Sequence, residues 1–234
     1  MWRAAALGVV SPRLTLRTIA RQPRLYHGVM LIEAAVALLA IVLATAMRPW
    51  RGLQGMAPPW PWLACWVALP LLWSADKWAQ VPVLQPLSGA CLLMLMAGWP
   101  MAVLALVPVA LIATLMGGLS GAEGLERLLW LGIAPATLAL GLGAGIRRWL
   151  PHHLFVYILG RGFFASQLAL AASGWLALAW DGAPSGTHAE DLAMGRWLTA
   201  WGDAFLTGMI VSIFVALRPQ WLATYSDRLY LPQR

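Results

Sequence analysis

Apolar residues run along this chain in long blocks separated by short polar breaks, and seven blocks stand out, at about 28–47, 58–74, 84–97, 99–117, 128–145, 154–180 and 192–217. Most approach the ~20 residues that an α-helix needs to cross about 30 Å of hydrocarbon, whereas 58–74 and 84–97 are short. The pattern predicts an all-α, polytopic transmembrane helix bundle of about seven spans, or six on a stricter count. Tryptophans cluster at the predicted ends, among them Trp50, Trp60, Trp62, Trp73, Trp78, Trp99, Trp130, Trp149, Trp180, Trp197 and Trp221, as expected for rings with an apolar body and a polar N–H. The polar connections around 118–127 and 181–191 are too short to bury a core, so three regions result. They are a basic N-terminal segment (1–27), the transmembrane bundle (28–217) and a C-terminal tail (218–234).

Composition fixes the solvent: 61% of the 234 residues are hydrophobic and 11% charged, against roughly 25% charged in soluble domains. The lipid bilayer is therefore the first partner. The net charge of +7 comes from fifteen arginines and the single Lys77, scattered at the ends of apolar blocks, so it reads as topology and not as a nucleic-acid surface. One set of connections holds Arg48, Arg51, Arg147, Arg148, Arg218, Arg228 and Arg234. The other holds Lys77, Arg127 and Arg196 with Asp76, Glu123, Glu126, Asp181, Glu190 and Asp191. The first set should face the cytoplasm, and the C-terminus with it. Seven spans then leave the N-terminus outside, yet residues 1–27 carry Arg3, Arg13, Arg17, Arg21 and Arg24. A miscounted span, an interfacial N-terminal helix or translation starting at Met30 instead of Met1 would each resolve the conflict, and the last is favoured because MLIEAAVALLAIVLATAMRPWRG reads as a neutral end, a span and a basic loop.

Several chemistries are disfavoured. With Lys77 the only lysine, no G-x-x-x-x-G-K-[ST] loop exists, and ATP-driven work needs separate ATPase subunits. His27, His152, His153 and His188 fall at span ends or in loops, away from Ser88 and Ser173, so intramembrane serine proteolysis lacks its base and the chain reads as a non-enzyme without cofactor. Cys65 and Cys91 sit singly in different blocks, which suits small buried apolar residues. Met94, Met96 and Met101 surround a reversal at Gly98–Pro100 and read as helix filler, with soft-metal binding the sharper alternative.

Two features remain. Block 128–145 carries Gly132, Pro135 and the LGLGAG run, which serve close helix packing or loosen a helix beside a substrate cavity. Arg161 and Asp203 are charges inside apolar blocks, about 10 and 20 Å from the cytoplasmic end at ~1.5 Å per residue. An intramembrane Arg161–Asp203 ion pair and a functional carboxylate at Asp203 are equal readings, because an unpaired charge there costs ~3 kcal/mol. Glu33 reads as interfacial, near a helix start.

GACLLMLMAGWPMAVLAL, LPHHLFVYILGRGFF and GDAFLTGMIVSIFVALRPQWLATYSDRLYL together resemble bacterial inner-membrane proteins of the CbiM-like superfamily, from about Trp60 to Leu231. The C-terminal RPQW…T…D-R…YL pattern is the most specific part. The resemblance implies an S-component-like permease of an energy-coupling-factor uptake system, working with a transmembrane coupling subunit and ATPase subunits and carrying a transition-metal ion, cobalt or nickel, as substrate. Such members begin Met-His and use that histidine as a ligand, whereas here Trp2 follows Met1 and Leu31 follows Met30. A second family histidine falls at Pro86, with Gln85 beside it, and Asp203 stands where the family has Glu. The expected substrate-binding set is therefore Asp203 with Gln85, Cys91 and Met94. The alternative is a structural or assembly membrane protein that keeps the fold without the metal site.

Overall fold

Each apolar block that is described becomes a helix, because in hydrocarbon every backbone N–H and C=O must find its partner within the protein. The computed structural model describes residues 23–50, 63–78, 85–183, 186–226 and 230. Residues 1–22, the 58–62 part of the second block with Trp60 and Trp62, and most of the extreme C-terminus lie outside the described residues. Eight helices and no strand occur among the described residues: α1 (Pro23–Ala46), α2 (Ala64–Trp73), α3 (Ala75–Trp78), α4 (Ala90–Ala97), α5 (Trp99–Gly117), α6 (Gly121–Trp149), α7 (Val156–Asp181) and α8 (Ala189–Leu217). The chain is an all-α membrane bundle.

Five of these, α1 from Gly28 onward and α5 to α8, are long and apolar enough to cross a bilayer. Within the described residues the blocks at 58–74 and 84–97 yield only α2 and α4, of ten and eight residues. At ~1.5 Å per residue they reach about 15 and 12 Å, half a membrane at most. The α4 helix is nonetheless the most enclosed element, with Ala90, Cys91, Leu93, Met94, Leu95 and Met96 all buried. It packs against α5, α6, α7 and α8. Glycines at positive φ, Gly89 (62°) and Gly98 (78°), turn the chain in and out of it, the second at the expected reversal into α5. At the periphery, α1 leaves Leu31, Leu38 and Leu39 exposed toward the lipid.

Helix α6 is interrupted at Leu128–Ile133 by a π-helical stretch, where the Ala134 N–H reaches back five residues to the Leu129 carbonyl. Pro135 follows and has no N–H, so the carbonyls it would otherwise serve, Trp130 and Leu131, are left open. Hydroxyls from neighbouring segments take both: Ser173 of α7 donates to the Trp130 carbonyl (2.6 Å) and Ser88 donates to the Leu131 carbonyl (2.5 Å). The first two turns of α7, Val156–Phe164, are also π-helical.

Beyond α8, the segment expected as a tail folds back onto the bundle. The Ala223 and Thr224 amides donate to the Met96 (3.0 Å) and Leu95 (3.3 Å) carbonyls at the end of α4. Tyr225 and Tyr230 pack their rings on Tyr157, at centroid distances of 4.9 and 5.1 Å.

Ser88→Ala should cost about 1–3 kcal/mol, because it strips a buried carbonyl of its donor. In a Pro135→Ala background, where a backbone N–H returns beside that carbonyl, the cost should shrink. Tryptophan-monitored unfolding of the four proteins of this cycle in detergent measures it, and strict additivity would contradict the compensation.

Candidate functional site

Asp203 lies mid-way along α8 and is 4% exposed. Its Oδ2 accepts from the backbone amides of Ser88 (2.6 Å) and Gly89 (3.2 Å), and Thr207, one turn on, donates to Oδ1 at 3.5 Å. The carboxylate thus closes the N-terminal end of α4, where unpaired N–H groups and the helix dipole favour negative charge. Ser88 completes the joint: its Oγ also accepts from the Ala90 amide (3.1 Å), and its carbonyl accepts from the Trp73 indole (2.9 Å). Every polar group of Ser88 is engaged.

Arg161 occupies a different place. Its Nη1 donates to the Thr224 carbonyl (3.3 Å), its guanidinium lies 5.4 Å from the Tyr157 ring centroid, and it passes Gly143 so closely that a Cβ there would stand 2.9 Å from Nε. Arg161 and Asp203 therefore form no ion pair; ion pairs among the described residues join Lys77 to Glu123 and Arg127 to Asp76. The expected brace fails because the Asp203 carboxylate is occupied by backbone amides, while Arg161 is drawn to the returning C-terminal segment.

The other expected ligands also separate. Cys91 Sγ lies 3.8 Å from the Pro135 carbonyl, and Met94 is 1% exposed within the apolar core. Gln85 points elsewhere, toward Gly174 of α7. Among the described residues no three His, Cys, Asp or Glu side chains group in a way that could hold a metal ion. Glu33, read as interfacial, is ten residues beyond the start of α1, 6% exposed, and accepts from the Trp130 indole at 3.0 Å.

A polar cavity of about 190 Å³ opens where α3, α6, α7, α8 and residues 85–86 meet, lined by Asp76, Gln85, Glu126, Arg127, Trp130, Gly174 and Arg196 among others. Its charged residues belong to the second charge set of the sequence, which the fold gathers at one end of the bundle. Ser120 starts α6 with a capping box: its hydroxyl accepts from the Glu123 amide (3.2 Å), and the Glu123 carboxylate accepts from the Ser120 amide (2.8 Å). That start fixes Glu126 and Arg127 in the second turn, against the cavity. Arg127 grips Asp76 through two bonds (2.9 and 2.6 Å). Burial alone would raise the Asp76 carboxyl, but the hydrogen bond and charge of Arg127, with Lys77 behind it, hold it below the usual carboxylate range. Arg196 donates from Nη1 to the Gly174 carbonyl. Two buried atoms at this wall, Gln85 Oε1 and Arg196 Nε, have no hydrogen-bond partner among the described residues. Trp130 separates this cavity from an apolar cleft of about 320 Å³ between α1, α6 and α7, where Glu33 stands.

No family model, curated protein or solved structure matches the chain. The site is thus defined by its own geometry. Of the cavity residues, Gln85 is one that the sequence offers as a ligand, whereas the charged ones serve there only to orient the bundle; the signal that places two of them is the S-x-x-E box at Ser120, which starts the helix seven residues before the apolar block. Nothing in the sequence marks Gln85 and Arg196 as neighbours of Gly174.

Asp203→Ala should lower stability by about 3 kcal/mol or prevent folding, since two buried amides lose a charged acceptor, and Asp203→Asn, which keeps an acceptor, should lose less. An Asp203→Ala protein that unfolds at the wild-type temperature would contradict the capping role. Asp76 carries a pH signature. Its folded value is depressed, so its contribution is complete above the ordinary value of ~4 and is lost as pH falls through the folded value. The stability advantage of wild type over Asp76→Asn should hold from neutral pH to about 5 and disappear in stronger acid.

Proposed function

We propose that this integral membrane protein is the solute-binding component of an uptake system, and that the cavity between α3, α6, α7 and α8 receives the solute. One observation carries the reading: at one end the bundle keeps a polar cavity lined by both signs of charge, with two buried polar atoms of its wall unpartnered among the described residues. Ligand sites generally combine a shaped concavity with a few convergent polar groups. The half-length α4, whose ends lie inside the bundle, has the form of the interrupted helices that border transporter sites. The positive-inside count puts the cavity end outside and the C-terminus in the cytoplasm of a bacterial inner membrane, a fitting arrangement for solute capture.

The resemblance to CbiM-like permeases supports an energy-coupling-factor system, in which a transmembrane coupling subunit and ATPases supply the work that a chain without a Walker lysine cannot. A cobalt or nickel cargo is less well supported, because Asp203, Gln85, Cys91 and Met94 do not converge. The saturation of Asp203 by amides favours a second reading, a structural or assembly protein in which that residue only holds the fold.

Affinity purification of the tagged chain from its native membrane in mild detergent separates the two. The uptake reading expects a coupling subunit and ATPase subunits in stoichiometric amounts. A folded, monodisperse protein that brings down no ATPase would overturn it in favour of the structural role.

A further inference from the structure

Three pairs of opposite charge stand at the cavity end of the bundle, and two of them are closed by direct contact, Lys77 with Glu123 at 3.2 Å and Arg127 with Asp76 at 2.6 Å. Glu126 and Arg196 form the third. Both line the cavity and each lies in electrostatic reach of the other, yet no ion pair joins them among the described residues. Resting on the uptake reading, we infer that this open pair is the binding site for a small zwitterion, an α-amino acid with a short side chain, whose ammonium meets Glu126 and whose carboxylate meets Arg196.

Separate helices hold the two charges apart. The capping box at Ser120 fixes Glu126 in the second turn of α6, at the cavity rim. Arg196 projects from α8 and is anchored on α7, where its Nη1 donates to the Gly174 carbonyl. A Cβ on Gly174 would stand 3.3 Å from Arg196 Cδ, so the bare backbone gives the side chain its path along α7. A guanidinium has five N–H donors, and the bond to Gly174 leaves both of those on Nη2 for a ligand carboxylate. A carboxylate and a guanidinium held short of contact forgo attraction that a dipolar solute set between them restores at both of its ends. Gln85 Oε1 and Arg196 Nε are buried in the wall and take no part in this contact.

Charge and size define the class. Among the lining residues Asp76 and Glu126 balance Arg127 and Arg196, so the cavity favours no net charge. A solute with only an ammonium or only a carboxylate leaves one of the two open groups unmatched, which discriminates against it. A volume of about 190 Å³ holds roughly six waters at ~30 Å³ each, enough for a solute of a similar number of non-hydrogen atoms. Pro86, Leu131 and Ala177 add an apolar surface on which a methyl side chain can rest.

The test is equilibrium binding of radiolabelled alanine to the full chain in lipid nanodiscs at neutral pH, without any ATPase, so that its outcome is independent of the uptake partners. Saturable binding of one molecule per chain is expected, with propionate and ethylamine, which each keep one of the two charges, weaker by about tenfold or more. Glu126→Gln, isosteric and exposed at the rim, should weaken alanine by about tenfold and erase its preference over propionate. Arg196→Gln should erase the preference over ethylamine instead. Arg147→Gln, at the opposite end, should change nothing. Absence of saturable binding up to the order of 10 mM by folded protein would overturn the inference, leaving a cavity filled by water alone. So would equal binding of propionate or ethylamine, or a preference for alanine over propionate unmoved in Glu126→Gln. Absence of alanine binding beside intact ATPase co-purification would reject the ligand class and leave the uptake reading standing.

Discussion

A half-length helix buried within a bundle must have both ends closed by other parts of the protein, and this constraint on α4 organises the fold. Its first amides and last carbonyls would each cost several kcal/mol if left bare in hydrocarbon. At one end, Asp203 of α8 meets the Ser88 and Gly89 amides; at the other, the segment after α8 supplies the Ala223 and Thr224 amides to the Met96 and Leu95 carbonyls. Both clamps are attached to α8, one within it and one just beyond it. The burial of α4 against four helices therefore depends on α8 returning in a single register. Ser88 ties the same joint to α2 through Trp73 and to α6 through Leu131.

The same rule accounts for the irregular stretches. Pro135 removes a donor where α6 runs against α7 and the loop before α4, and Ser173 and Ser88 fill the places of the missing bond. The π-helical stretch is thus a shared element, completed by hydroxyls from two other segments. Arg161 follows a related logic. A cation in the apolar interior is tolerated because Gly143 leaves it room, and the Thr224 carbonyl with the Tyr157 ring provides polar contact.

These relations explain how much could be read from the sequence. Helix positions, the reversal at Gly98–Pro100 and the importance of Asp203 follow from composition and depth alone. The partner of Asp203 does not, because it is backbone: an amide carries no letter in a sequence, whereas Arg161 does, and the visible charge drew the pairing. The lengths of α2 and α4 are partly legible, since their blocks at 58–74 and 84–97 fall short of the ~20 residues of a span, but where each helix starts and stops within its block is not written in an apolar pattern. The T of the C-terminal pattern is Thr224, whose hydroxyl donates to Leu95 (3.0 Å) and shares a hydrogen bond with Tyr157 (2.9 Å), a role visible only once the segment turns back. The charges of the cavity were legible as a set but not as a site, because counting them by loop discards which walls they share.

Saturation separates the two acidic centres. The Asp203 carboxylate is buried, and its Oδ2 is committed to the Ser88 and Gly89 amides: a ligand taking that oxygen would have to displace the amides that hold α4, at a cost borne by the whole fold. The cavity is the opposite case. Its Asp76–Arg127 pair is internally satisfied and defines a firm wall, while Gln85 Oε1 and Arg196 Nε remain unmatched beside Gly174 and Glu126 stands at the rim. A polar cavity and a structural carboxylate thus coexist about two turns apart on α8, the helix that carries both Arg196 and Asp203.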